Sequence, residues 1–212
     1  MPSSLHQLTL VNEAERDDAW EAALLGALAH GELQLLQNTP QVGPDKWPYI
    51  YVQTSEGAQE PALKIIEWLS EKGIGLVVNP QKNPVDYVLN YGMIWNFRQR
   101  GEFVTRRDQP APKFELNHGT QILAGPPSED YLPTYVRNVL RTFLMEQGVM
   151  QPRILVMSED QISFDLCFSL DSLGNPSENE HEGIATALSW FLPTHYSIVL
   201  VNETGLPAFS PL

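Results

Sequence analysis

The chain has 212 residues and a mass of 23.8 kDa, room for one large domain or two small ones. Thirteen Lys and Arg against 26 Asp and Glu leave a net charge of −13, which argues against nucleic acid as a partner, because phosphates need cations, and against an anionic membrane surface. Apolar residues make up 42%, enough for a core, and the composition excludes collagen-like, low-complexity and disulfide-rich classes.

In chain order, Asn12 reads as a helix cap with Glu15 reaching back to it. The helix behind it places Trp20, Ala23, Leu24, Ala27 and Leu28 on one face, and Gly31 stands where a left-handed cap would end it. Residues 33–36 read as a short strand and 38–48 as a loop. From Tyr49 to Gln53, Ile50 and Val52 alternate with Tyr49 and Tyr51, the pattern of a strand. Pro61 opens a second helix with Ala62, Ile65, Ile66 and Leu69 as its buried stripe, ended by Gly73. Residues 74–78 form a continuous apolar run, as in an inner strand. Asn83–Pro84 reads as the cap and first residue of a helix to Arg100; a strand over 86–89 followed by a helix fits equally, and Gly101 ends either. Residues 102–106 read as a strand, and 113–116 with 120–123 flank Asn117-His118-Gly119 as a hairpin.

The order then recurs. A helix beginning over 128–133 carries Val136, Val139, Leu140, Phe143 and Leu144 on one face and closes at Gly148. Residues 154–157 read as a strand, and Phe164, Leu166, Phe168 and Leu170 alternate with polar residues and Cys167 as a half-buried strand. Asn179 and Glu182 read as a capping box for a helix with Ile184, Ala187, Leu188 and Phe191 on its face, stopped by Pro193, and 198–201 as an inner strand. The expected fold class is α+β: two similar helix-strand-strand-helix-strand halves, residues 1–107 and 129–212, joined by a hairpin-containing linker over 108–128.

The N-terminal residues show no secretory signal, and no apolar stretch is long enough for a bilayer. The single cysteine, Cys167, suits a reducing compartment, so a cytoplasmic protein is expected. Phosphate-binding loops, dinucleotide fingerprints, zinc and calcium spacings and nucleophile elbows are missing from the sequence. No cofactor and no metal is expected. His6, His30, His118, His181 and His195 are read as structural or exposed, and the neighbours of Cys167 would not lower its pKa.

Charge and aromatics supply the candidate site. Arg98, Arg100, Arg106, Arg107 and Lys113 face only Glu102 and Asp108 between residues 98 and 113, a local +3, while 154–212 holds eight acids and no Lys or Arg. Trp47, Tyr49 and Tyr51 lie on or near one strand face, and Trp95 precedes the arginines. Aromatics with arginine are enriched at binding hot spots. The candidate binding residues are therefore Trp47, Tyr49, Tyr51, Trp95, Arg98, Arg100, Arg106 and Arg107. The plainer alternative is that the aromatics pack under a helix and the arginines match an acidic neighbour within the chain. The two-part layout, acidity and size resemble bacterial SseB-type proteins and type III secretion chaperones, which implies an acidic, dimeric, chaperone-like binder and assigns no residue a role. The expected function is a non-enzymatic protein-binding or adaptor protein, with an acidic protein partner matching the arginines, a homodimer, and neither nucleic acid nor membrane as partner. The alternative is a hydrolase or transferase with dispersed catalytic residues.

Overall fold

The first helix is set by a short sequence signal. Ser4 Oγ accepts from the Gln7 backbone N–H, and Gln7 Oε1 accepts from the Ser4 N–H, a reciprocal box that starts α1 (Leu5–Thr9). The computed structural model describes residues 4–105 and 122–212, and its contacts divide the chain into two units, Met1–Val104 and Thr105–Leu212.

In the first unit Asn12 caps only a 3-10 turn, Glu13–Glu15; the long helix α2 (Asp18–His30) starts later, where Asp17 accepts from the Trp20 N–H at 2.8 Å. Arg16 at the turn exit is extended, which breaks the helix that the Asn12 reading would have begun there. Gly31 ends α2 at φ −86 rather than in a left-handed cap; glycine is needed because a Cβ would lie 2.9 Å from a Leu5 methyl and from the Ala27 carbonyl oxygen. Strands β1 (Glu32–Leu35), β2 (Gln41–Val42), β3 (Pro48–Gln53), β4 (Glu60–Pro61), β5 (Gly75–Val78) and β6 (Tyr87–Leu89) form one sheet, with α3 (Ala62–Ser70) between β4 and β5 and α4 (Tyr91–Arg100) after β6. β1 pairs antiparallel with β3, β3 parallel with β5, and β5 antiparallel with β6. Leu24, Leu28, Leu33, Ile50, Ile66, Leu69, Leu76 and Ile94 fill the core, each burial contributing about 1.5–3 kcal/mol before entropy is counted.

Of the two sequence alternatives for 83–100, the strand followed by a helix is the one observed. Asn83–Pro84 is a cis peptide ahead of β6, and Asn90 caps α4 by accepting from Met93 N–H. Gly101 ends α4 at φ 78, a conformation that favours glycine. Residues 102–105 form no strand; Phe103 instead stacks on Phe97 at 4.4 Å. The expected hairpin lies almost wholly outside the described residues.

The second unit contains β7 (Leu123–Gly125), α5 (Thr134–Glu146), β8 (Arg153–Ser158), β9 (Asp165–Ser169), α6 (Glu178–Phe191), β10 (Ser197–Val201) and β11 (Ser210–Pro211). β8 pairs antiparallel with β9 and β9 parallel with β10, while β7 and β11 both pair with β8. The capping box of α6 is Ser177–Glu180, two residues before the expected Asn179–Glu182, because Ser177 has the extended backbone a cap needs. β9 is buried along four of its five residues rather than on one face: Ile122, Leu206 and Phe209 cover the side that carries Cys167. Among the described residues β10 ends the sheet, and it is half-exposed throughout, so there 198–201 is an edge rather than an inner strand. The chain is α+β, and among the described residues no helix is long and apolar enough to cross a membrane.

Candidate functional site

A cleft of about 960 Å3 opens in the first unit where α1 meets α2. Buried Leu5 and Leu8 form its apolar part, Ala23, Gly26 and Ala27 its α2 wall, and exposed Gln7, His30, Glu32 and Glu56 lie along it. Nothing stands within 4 Å of where a Gly26 Cβ would be, so the α2 wall is open there. Ala23, expected on the buried face of α2, is exposed in this cleft; Leu24 and Leu28 alone are fully buried on that helix.

His6 links the cleft to a buried polar cluster. Its Nδ1 lies 3.5 Å from Thr54 Oγ1, which is 2.9 Å from Thr9 Oγ1. Thr54 and Asn79 follow directly on β3 and β5, at the carboxyl ends of the parallel pair. Asn79, at φ 55, accepts the Thr54 N–H and donates to Thr54 Oγ1 and, at 2.5 Å, to Asp86 Oδ2. Asp86 also takes Arg16 and Lys82 at 2.6 Å each. Burial opposes ionisation of Asp86, and the Lys82, Asn79 and Arg16 hydrogen bonds outweigh it, holding the carboxyl below its ordinary value. Arg16 donates further to the Val11 carbonyl and lies 4.6 Å over the Trp20 ring, while Lys82 donates to the Thr9 carbonyl. The acid is committed to these donors, so the cluster acts as an anchor joining the α1–α2 connection to the sheet.

The second unit has a comparable arrangement. Ser169, at the end of β9, donates to Glu203, which takes Arg153 at 2.8 Å and whose N–H donates to Asp171. A cleft of about 500 Å3 lies beside it, lined by Arg153, Asp171, Ser172 and the 147–151 loop. Burial, with Asp165 adding, pushes the Cys167 thiol up to about 12, which removes it as a nucleophile near neutral pH. Among the described residues no three His, Cys, Asp or Glu side chains converge as metal ligands, and neither cleft includes His181 or His195.

The sequence-derived candidates scatter. Trp95 is 1% exposed and Tyr49 3%, so both belong to the interior and not to a contact face. α4 is apolar on nearly every side from Tyr91 to Phe97 and is buried over that length, which takes Trp95 inward. The Tyr49 ring closes over Gly75, where a Cβ would lie 2.5 Å from it, and its hydroxyl donates to Asp45 at 2.5 Å. Trp47 and Tyr51 are half-buried. Arg98 donates to Ser70 at 2.9 Å and Glu71 at 3.1 Å, the internal match that was the plainer reading. Arg100 is exposed; Arg106 and Arg107 lie outside the described residues. The cleft was missed, although Ser4-x-x-Gln7 ahead of apolar residues signals α1 and the run of Ala and Gly in α2 signals a wall with little side-chain bulk. No family model, curated protein or solved structure matches the chain.

Proposed function

We propose that the chain is a non-enzymatic, cytoplasmic protein-binding or adaptor protein, similar in character to secretion chaperones and SseB-type proteins, and that the α1–α2 cleft receives an apolar segment of its partner. The observation that supports this most is the cleft itself: open to solvent, apolar at its base and walled by residues too small to fill it. Such a wall lets a partner backbone approach α2 closely, as in helix-in-groove recognition. Exposed Arg100, with Arg106 and Arg107, is offered to acidic groups of the same partner.

Gly26→Arg tests the reading. The new side chain enters open space, and replacing a mid-helix glycine gains up to about 1 kcal/mol of helix propensity, so the variant folds. Wild-type and Gly26→Arg baits are compared by quantitative affinity capture. Proteins captured by the wild type and lost from the variant are expected. Identical capture profiles would overturn the reading, as would a hydrolytic or transfer activity of the purified chain that His6→Ala abolishes.

A further inference from the structure

Sheet edges elsewhere among the described residues are blunted: β6 has three residues, β4 and β11 have two and contain proline, and β7 with β11 occupies the outer side of β8. β10 is different. Its five residues, Ser-Ile-Val-Leu-Val, hold neither charge nor proline, and among the described residues no strand pairs with its outer side. Leu170 N–H donates to the Val201 carbonyl, so by alternation the backbone groups of Val199 also turn to β9 and those of Ile198 and Leu200 point outward.

An acidic, apolar patch stands at the start of this edge. Ile162 is 83% exposed on the β8–β9 connection, held up by Asp160, which accepts the Ile162 and Ser163 N–H groups at 2.8 and 2.7 Å. Phe164, also exposed, lies 6.1 Å from the Tyr131 ring, which stacks on Tyr196, the residue before β10. Glu129 and Asp130 directly precede Tyr131 in the chain, Glu159 and Asp160 lie on the same connection as Ile162, and Asp165 is the register partner of Ser197. The nearby guanidinium of Arg137 is held by the Leu132, Pro127 and Ser128 carbonyls and lies 3.9 Å from Glu129.

We infer that the outer edge of β10 takes up an extended segment of another protein as an added strand, with Lys or Arg at one end of that segment held by the acids around Ile162 and Phe164. Backbone pairing supplies affinity and the charged end fixes direction. Charge chooses this occupant over a second copy: the acidic patch favours a cationic segment, and a second copy of this chain carries a net charge of −13. The inference deepens the binding reading but lies in the other unit, so Gly26→Arg leaves it untouched and the two fail separately.

The test selects phage-displayed random dodecapeptides on the full chain, then measures binding of the recovered peptides by fluorescence anisotropy. Leu200→Pro removes an outward N–H without removing a ladder donor; Asp130→Lys with Glu159→Lys reverses charge on exposed side chains and keeps the strand. Recovered peptides are expected to alternate β-branched or aromatic residues and to carry Lys or Arg at one end. Each variant is expected to lower affinity by about tenfold, and added salt to weaken the wild type. Failure to enrich peptides, enrichment without basic residues, or equal binding to the charge-reversed chain would overturn it. So would self-association of the wild type that Leu200→Pro abolishes, which would make a second copy the occupant. Should Leu200→Pro lose its circular dichroism spectrum, the charge-reversed chain still decides.

Discussion

Asp86→Asn removes one charge from a site whose geometry predicts the cost. The carboxylate accepts from Arg16 and Lys82 at 2.6 Å and from Asn79 at 2.5 Å, and its own side chain is fully buried. Asparagine keeps one acceptor and turns the other into a donor that faces a donor. A hydrogen bond to a charged group contributes about 1.5–3 kcal/mol. Arg16, 14% exposed, sits toward the middle of that range; Lys82, 35% exposed, is discounted for screening to about 0.5–1 kcal/mol. With the Asn79 bond taken at the low end of the range the loss is about 4–5 kcal/mol, in line with breaking a buried ion pair. Urea unfolding at pH 7, followed by tryptophan fluorescence in a Trp190→Phe background, reads this directly, since the other four tryptophans all lie in the first unit. Asp86 has a folded pKa below its ordinary 3.8, so its contribution is complete above about pH 5 and fades as pH falls through the folded value. The stability gap between wild type and Asp86→Asn is therefore expected to narrow progressively as pH falls below the ordinary carboxylate value of 3.8. A loss under about 1 kcal/mol at pH 7 with an unchanged denaturant slope, or a gap that widens on acidification, would refute the account of a buried, charge-driven anchor.

Gly75→Ala places a Cβ 2.5 Å from the Tyr49 ring and 2.8 Å from the Leu89 carbonyl oxygen, and is expected to cost about 3 kcal/mol in urea unfolding. Tyr49→Ala should not rescue it, because the Leu89 contact is backbone; full rescue would count against the packing described. Cys167, buried and with its thiol pushed up to about 12, is expected to resist Ellman's reagent at pH 8 in the native chain and to react on unfolding; fast stoichiometric labelling of the folded chain would contradict its burial. Arg106→Ala with Arg107→Ala is expected to weaken partner capture while leaving the melting temperature nearly unchanged; a large loss of stability with capture intact would return both residues to a structural role.

Helices and strands with strong periodicity were legible from the sequence. The α3 stripe of Ala62, Ile65, Ile66 and Leu69 and the β5 run are buried as their spacing requires. Errors gathered where a local signal had two outcomes. Asn12 could cap a 3-10 turn as well as a helix, and Asn83–Pro84 has the same residues as a helix start but precedes a strand. The apolar run 198–201 cannot distinguish an inner strand from an edge, because that depends on how many neighbours the sheet supplies. The candidate site was least legible: alternation of Tyr49 and Tyr51 with Ile50 and Val52 says that two faces exist, and only the closure of Tyr49 over Gly75 says that the second is covered.

Open sheets with parallel strands gather ligands at the carboxyl ends of those strands, where a crevice and unsatisfied backbone groups coincide. Among the described residues each unit has one parallel pair, and in each that end is filled by the chain's own side chains: Thr54, Asn79 and Asp86 in the first, Ser169 and Glu203 in the second. The groups that would hold a small anionic or polar ligand there are spent on one another. Besides the polar cleft at Arg153 and Asp171, the described residues present two surfaces of another kind, an apolar cleft beside α2 and an uncharged strand edge with an acidic end. Both suit polypeptide, since a cleft walled by Gly26 and Ala23 rewards a closely approaching backbone and a strand edge rewards a row of amides. The filled parallel-strand ends thus favour the proposed reading, in which a polypeptide partner is met on outer surfaces.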